Sequence, residues 1–365
     1  MSSFLGMASE KYGLLLYTLL LSIGLIMVSI KWADRLGWVD QPDERKHHTQ
    51  PVPLSGGIAM CMAFCLSLPL VLDTPNTYLP LLAGVVLLAL VGVYDDLCQI
   101  QPSTRFLFQI GAVLIMTLGG DVELRSLGNL LGWGNITLGA MAIPFTLFGV
   151  VGVINAFNMM DGLDGLAGGL ALIAMGWLLT LNLTAPVPDS LASDALLVLA
   201  MVVAGFLCFN LRHPWRVRAS VFMGDSGSTM LGFALGWFLV SLSQDRGSHQ
   251  AVMTPMTAVW ILAAPLLDTI TVMIRRLGAG QNPFKADRQH LHHLLLHRGY
   301  SDGQVTALLL VGALISGAVG MAAYRLHVPE FAQLYSFMAL FLVYRQVTTK
   351  TWRRYLARLP EVETG

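Results

Sequence analysis

Asn155-Ala-Phe-Asn158-Met-Met-Asp161-Gly-Leu-Asp164-Gly165 stands between two long apolar runs, Ala140 to Ile154 and Leu166 to Leu183. Two Asn, two Asp and two Gly therefore fall where one membrane-spanning helix ends and the next begins. An Asp at a helix centre in lipid costs about 2.5–3.5 kcal/mol on insertion scales, so such residues sit at a boundary or line a site. Asp161 and Asp164 are three residues apart, and a helical turn there would put both carboxylates on one face. Gly162 and Gly165 would let a ligand approach the backbone. A plain capping turn is the alternative. It needs fewer amides and carboxylates than these eleven residues carry.

Working outward, the composition agrees with a membrane setting. Hydrophobic residues are 55% of the 365 and charged residues 12%, and the mean hydropathy is +0.64. Soluble domains carry about twice that charge. The expected fold is an all-α integral membrane protein. Runs long enough to span a bilayer fall near 13–32, 56–73, 78–94, 105–120, 140–157, 166–183, 194–211, 228–243, 256–274, 304–323 and 330–348, which makes eleven. The first reads as a retained helix rather than a signal peptide, because no small-residue cleavage site follows it. Residues 1–350 form a single polytopic domain, and 351–365 a basic C-terminal tail. The net charge is zero, and no basic tract interleaved with aromatics suggests nucleic acid. Cys61, Cys65, Cys98 and Cys208 lack metal-ligand spacing.

Charge placement sets the expected orientation. Loops after the odd-numbered spans, with the tail, hold eighteen of the 22 Lys and Arg residues, and the other face holds Lys11, Arg125, Arg246 and Arg325. The positive-inside rule puts the N-terminus outside and the C-terminus in the cytoplasm. The polar, chemistry-bearing loops all fall on that cytoplasmic face.

Asp95-Asp96 ends an apolar span. Adjacent carboxylates repel unless a cation lies between them, and the C-terminal end of a helix disfavours acids. Metal binding or proton transfer is the expectation, against a plain capping pair. Gly224-Asp225-Ser-Gly227-Ser228 opens a later span, where backbone N–H groups can cradle phosphate and the carboxylate can hold a hard cation. His290-Leu-His292-His293 lies near Lys285 and Arg288. Zinc-ligand spacing is absent, and a His/Arg/Lys cluster suits a diphosphate. Carboxylates and a cationic loop on one face together indicate phosphoryl chemistry with magnesium.

These segments resemble the polyprenyl-phosphate N-acetylhexosamine-1-phosphate transferases, polytopic enzymes that begin cell-surface glycan synthesis on a lipid carrier. The likeness spans nearly the whole chain. It includes Asp40-x-Pro-x-x-Arg45-Lys46-x-His48 with Gly56-Gly57, Asp95-Asp96, Asn158-x-x-Asp161-Gly-x-Asp164-Gly165, Gly224-Asp225-x-Gly227-Ser228 and His290-x-His292-His293. The segment from Asp287 to His293 is similar to the branch that transfers N-acetylglucosamine-1-phosphate to undecaprenyl phosphate. The muramoyl-pentapeptide branch instead carries three consecutive His and then an acid, whereas here Leu291 interrupts the run and Leu294 takes the acidic position.

The resemblance implies roles. Asp225 would ligate Mg²⁺, with Mn²⁺ as a substitute. Asp95 or Asp96 would deprotonate or position the lipid phosphate and help hold the metal. Asn158, Asp161, Gly162, Leu163 and Asp164 would line the uridine-diphosphate pocket, with Lys46, Arg45 and His48 close by. His290, His292 and His293, with Arg288, would engage the diphosphate or sugar. UDP-N-acetylglucosamine and undecaprenyl phosphate are the implied substrates, in the bacterial inner membrane. The product would enter O antigen or a related polysaccharide. The oligomeric state, monomer or homodimer, is left open. Another N-acetylhexosamine or the muramoyl-pentapeptide is the alternative within the family. A nucleotide-sugar or lipid-intermediate transporter is the alternative outside it, although transporters place their polar sites near the midplane, often with internal repeats.

Overall fold

The computed structural model describes residues 2–40, 51–72, 74–212, 216, 218–247, 249–281 and 289–356. Thirteen α-helices make up nearly all of it: α1 (Ser2–Leu36), α2 (Gly56–Val71), α3 (Leu79–Cys98), α4 (Pro102–Leu114), α5 (Ala142–Met160), α6 (Leu166–Leu183), α7 (Ser190–Asn210), α8 (Gly224–Ser243), α9 (Pro255–Ile261), α10 (Ala263–Gly278), α11 (Leu291–His297), α12 (Asp302–Arg325) and α13 (Glu330–Leu356). Each of the eleven expected runs coincides with one of these helices or with a consecutive pair. Among the described residues, seven helices are long and apolar enough to cross a membrane, or eight if α9 and α10 form one span. The protein is thus an all-α membrane protein, as its composition requires. Helix α2 is apolar but only 16 residues long. A π-helical turn, Ile115–Gly119, prolongs α4, and α13 runs past position 350.

The ninth run differs from expectation. It is two helices meeting at 82°. The break falls at Leu262, just ahead of Pro265. Proline has no N–H to offer the carbonyl one turn back and its ring crowds that carbonyl, so the α9 ladder cannot continue into α10.

Local chemistry sets the other ends. Asp189 caps α7 by accepting from Ala192 N, and Ser301 with Gln304 forms a capping box on α12. Between α5 and α6 the chain turns at Gly165, whose φ of +78° only glycine adopts freely.

Helix α8 is the axis of the bundle. Every residue from Ser226 to Ser243 is buried, and α2, α3, α5, α6 and α9 pack on it. It is the least hydropathic of the seven candidate spans and the most buried. Its small residues explain this, because they let neighbouring backbones close in. A Cβ on Gly232 would lie 2.7 Å from Ile154 Cα of α5.

The C-terminal ends of α3, α5 and α7 meet the N-terminal ends of α2, α4, α6, α8 and α12 at one end of the bundle. A two-residue antiparallel pair, β1 (Val39–Asp40) with β2 (Val52–Pro53), lies there too. Phe222 N donates to Pro53 O at 2.8 Å, and Gly56 N to Phe222 O at 3.0 Å. These bonds fasten β2 and α2 to the segment that leads into α8.

Candidate active site

A cavity of about 1090 Å³ opens at that end of the bundle. Its wall includes Asp95, Asp96, Asn158, Asp161, Gly162, Leu163, Asp164, Asp225 and His293 from the sequence-predicted set. His290 and His292 lie behind that wall, both buried. Arg45, Lys46, His48 and Arg288 lie outside the described residues.

Asp95 and Asp96 occupy the last turn of α3. Asp95 Oδ1 accepts from Ile100 N at 2.9 Å, and its Oδ2 lies 3.0 Å from Arg105 Nη1. Asp96 Oδ1 accepts from Asp225 N at 2.9 Å. The expected conflict between this acidic pair and its own helix dipole is therefore corrected by the neighbour, because Asp96 faces the positive N-terminal end of α8. Gly224 leads into that end at a φ of +66°, and a Cβ there would sit 2.4 Å from Asp96 Oδ2.

Asp225 is the hub. Its Oδ1 accepts from Asn158 Nδ2 at 2.6 Å, and its Oδ2 from Arg105 Nη1 at 3.2 Å. Asn158 also donates to Ser228 Oγ at 3.0 Å. The amide at the end of α5 thus ties that helix to the first turn of α8. Arg105, from the first turn of α4, bridges Asp95 and Asp225 across the cavity floor.

The turn after α5 is not helical, and this corrects the shared-face expectation for its two carboxylates. The backbone leaves the helix at Asp161, where ψ is 53°. Asp161 faces the cavity, and burial pushes its carboxyl up to about 8, with Asp225 and Asp164 adding to the shift. Asp164 turns elsewhere. It lies 2.6 Å from Arg212 Nε and accepts from Ala219 N at 3.1 Å. Arg212 in turn reaches Asp302 at 2.6 Å. Asn210 Oδ1 accepts from Gly165 N at 2.8 Å, and its Nδ2 donates to Val221 O at 2.9 Å. Asp164, Arg212 and Asn210 therefore brace the turn.

The histidine segment leads into the short helix α11. His290 stacks on His292 with centroids 5.5 Å apart and planes 4° apart, and His292 lies 4.1 Å from His293. A Cβ on Gly162 would meet His292 Nε2 at 2.7 Å. That glycine lets the histidines close on the Asp161 turn.

Sequence reasoning counted Arg105 and Arg212 only as loop charge and missed Asp268 and Asp302. Arg105 had a signal. It sits in the first turn of the helix that follows Asp95-Asp96, on the same face. Asp268 had one as well, being a carboxylate inside the expected span 256–274, where an ionisable group is costly unless it meets a partner.

The donor set suits a hard divalent cation. Among the described residues no side chain donates to the buried Asp96 Oδ2, and one guanidinium already lies between Asp95 and Asp225. Among the described residues, no three His, Cys, Asp or Glu side chains converge as a complete metal cage. Magnesium needs none, because it binds through one or two carboxylates plus substrate phosphates.

Residues 78–243, which hold α3 to α8 and the three acidic segments at Asp95-Asp96, Asp161–Asp164 and Asp225, match the family model described as glycosyl transferase family 4. Proteins called undecaprenyl-phosphate alpha-N-acetylglucosaminyl 1-phosphate transferase are similar along almost their whole length. The one from Escherichia coli O157:H7 is 34% identical over 90% of this chain and 89% of its own. That from Yersinia pestis is 36% identical over 94% and 93%, and that from Salmonella typhi 36% identical over 96% and 94%. With its acidic hub, its braced turn and this continuous likeness, the chain belongs to glycosyl transferase family 4, the family of these undecaprenyl-phosphate alpha-N-acetylglucosaminyl 1-phosphate transferases.

Proposed function

We propose that the protein transfers N-acetylglucosamine-1-phosphate from UDP-N-acetylglucosamine to undecaprenyl phosphate, releasing UMP. One observation carries the reading. Asp95, Asp96 and Asp225 line one cavity together with Arg105, Arg212, Arg218 and His293. Carboxylates can hold a cation there, and the cationic groups can receive a diphosphate.

The lipid phosphate oxygen attacks the β-phosphorus. The bond from that phosphorus to the bridging oxygen breaks, and UMP leaves with the electron pair. Asp225, with Asp95 or Asp96, would hold Mg²⁺ (or Mn²⁺), which supplies charge neutralisation on the diphosphate. Asn158 fixes Asp225, and Asp225 N–H fixes Asp96. Arg105 sits where it can exchange its carboxylates for phosphoryl oxygens. Asp161, Gly162 and Leu163 form the wall offered to the nucleotide. Catalysis is alignment plus electrostatics, so the lipid phosphate needs no stronger nucleophile.

The positive-inside rule supports a cytoplasmic site end in a bacterial inner membrane, since eighteen of the 22 Lys and Arg residues fall in the sequence loops and tail expected on one face. Eleven crossings, with the N-terminus outside, follow if α2, α4 and α13 also span. The product would begin a cell-surface polysaccharide such as O antigen.

The test uses purified protein, undecaprenyl phosphate and a panel of labelled UDP-sugars. Release of UMP with lipid-linked N-acetylglucosamine is expected. Binding or exchange of UDP-sugars without turnover would point to transport, and turnover of another sugar alone would move the chain to another branch. Delipidated enzyme should not exchange labelled UMP into UDP-N-acetylglucosamine until lipid phosphate is restored. Full exchange without lipid would indicate a covalent intermediate on Asp95 or Asp96.

A further inference from the structure

Asp268 lies in α10, is buried, and lines no part of the cavity. Three donors converge on its carboxylate. His290 Nδ1 is 2.7 Å from Oδ2, Leu291 N donates to Oδ1 at 2.9 Å, and Tyr344 OH of α13 donates to Oδ1 at 2.8 Å. Seven residues on, on the same face of α10, Arg275 Nη2 donates to Gln289 O at 2.8 Å. The helix thus grips residues 289–291 at two points, two turns apart.

An apolar residue at 268 could pack α10 against α11 without the cost of burying a carboxylate. The carboxylate adds direction, because it only accepts hydrogen bonds. His290 must then carry its proton on Nδ1, and its ring plane is set by that bond. The ring stacks almost parallel on His292. His292 in turn sits against Gly162 and beside His293.

We propose that Asp268, steadied by Tyr344, is a positioning residue for the transfer reaction. It fixes His290 in the Nδ1–H form, and the stacked histidines carry that alignment to the Asp161–Gly162 turn and to His293 on the cavity wall. The effect on turnover rests on the function proposed above. The proton position on His290 does not.

Asp268→Asn is the discriminating variant. The Leu291 N–H is a fixed donor, so it holds the carboxamide oxygen at the Oδ1 place and turns the amide nitrogen toward His290. His290 must then accept at Nδ1 and carry its proton on Nε2. Nitrogen-15 NMR of histidine-labelled protein in lipid reads this directly, with the His290 signal assigned by its loss in His290→Gln. The expected result is an Nδ1 proton in the wild type and its transfer to Nε2 in Asp268→Asn. Alongside it, kcat should fall about 10–100-fold, as when a histidine loses its carboxylate partner. KM for UDP-N-acetylglucosamine should move less than about threefold. Tyr344→Phe should keep the Nδ1 proton and lower kcat less.

A bare Nδ1 in the wild type overturns the proposal, as does an Nδ1 proton retained in Asp268→Asn. A shifted proton with unchanged kcat removes the positioning role. If Asp268→Asn does not fold, the wild-type spectrum and the kcat of Tyr344→Phe decide, and unchanged kcat in Tyr344→Phe then counts against it. Absence of any UDP-sugar turnover by the wild type would sink the proposed activity while the His290 spectrum still reports on Asp268.

Discussion

Replacing Gly92 with alanine should disable the site from a distance. Gly92 lies in α3, one turn before Asp95-Asp96, where α3 crosses the start of α8. A Cβ built there would stand 2.3 Å from both Cα and N of Ser226 and 2.6 Å from the Asp225 carbonyl carbon. Ordinary contacts begin at 3.4 Å, so the shortfall is about 1.1 Å. The atoms in the way are backbone, and no side chain can swing aside. The helices must part by roughly that distance, and the parting opens the Asp225 N–Asp96 bond, now 2.9 Å. Overpacking of this kind costs about 1–3 kcal/mol, which a bundle buried along all of α8 can survive. A reacting geometry displaced by about 1 Å loses on the order of 100-fold in rate. The expected phenotype is a folded, monodisperse protein with kcat down about 100-fold and a modestly lowered midpoint of thermal unfolding in detergent. Two controls separate crowding from loss of glycine as such. Gly111→Ala meets nothing nearer than 3.9 Å among the described residues and should behave as wild type. Gly84→Ala strikes the Phe233 ring at 2.4 Å, a side-chain clash that Phe233→Leu should relieve, whereas no side-chain truncation should rescue Gly92→Ala. Wild-type kcat in Gly92→Ala, or equal damage from Gly111→Ala, would refute the reasoning.

Asp225→Asn should lose turnover by about 100-fold or more at limiting magnesium while remaining monodisperse, because the amide keeps the shape but not the charge; near-wild-type turnover would dismiss Asp225 as the metal ligand. In a cysteine-free background, Val187→Cys, 58% exposed at the end opposite the site, should react with an impermeant thiol reagent from outside the cell. A single cysteine at the exposed native position Cys98 should react from inside only, and the reverse pattern would invert the topology. Asp161 gives a pH dependence. Its folded carboxyl, raised to about 8, holds a proton that the unfolded chain has released above about 3.9. Metal-free stability should therefore fall as pH rises between those values, because the native state binds the extra proton there. Asp161→Asn should flatten that slope between pH 6 and 8, and an unchanged slope in the variant would locate the titration elsewhere.

The sequence by itself determined the membrane class and most of the carboxylates that line the cavity. Apolar length and charge bias act along the chain, so they are legible in it. Asp95, Asp96, Asn158, Asp161 and Asp225 all stand where apolar spans end, and an acid or amide at such a boundary has few reasons to be there except a site. What the sequence could not express was partnership. The dipole argument at Asp95-Asp96 considered α3 alone, while the deciding partner was the start of α8, about 130 positions later. The kink before α10 needed Pro265 to be weighed inside an otherwise continuous apolar run. Asp164, read with Asp161 as one face, became a brace because Arg212 lies across from it. Only the packed bundle decided which wall His293 joins, which carboxylate Arg105 bridges, and that Asp268 sits behind His290. Each of those is a contact between helices far apart in the chain, and no periodicity along one strand of sequence encodes the distance between two.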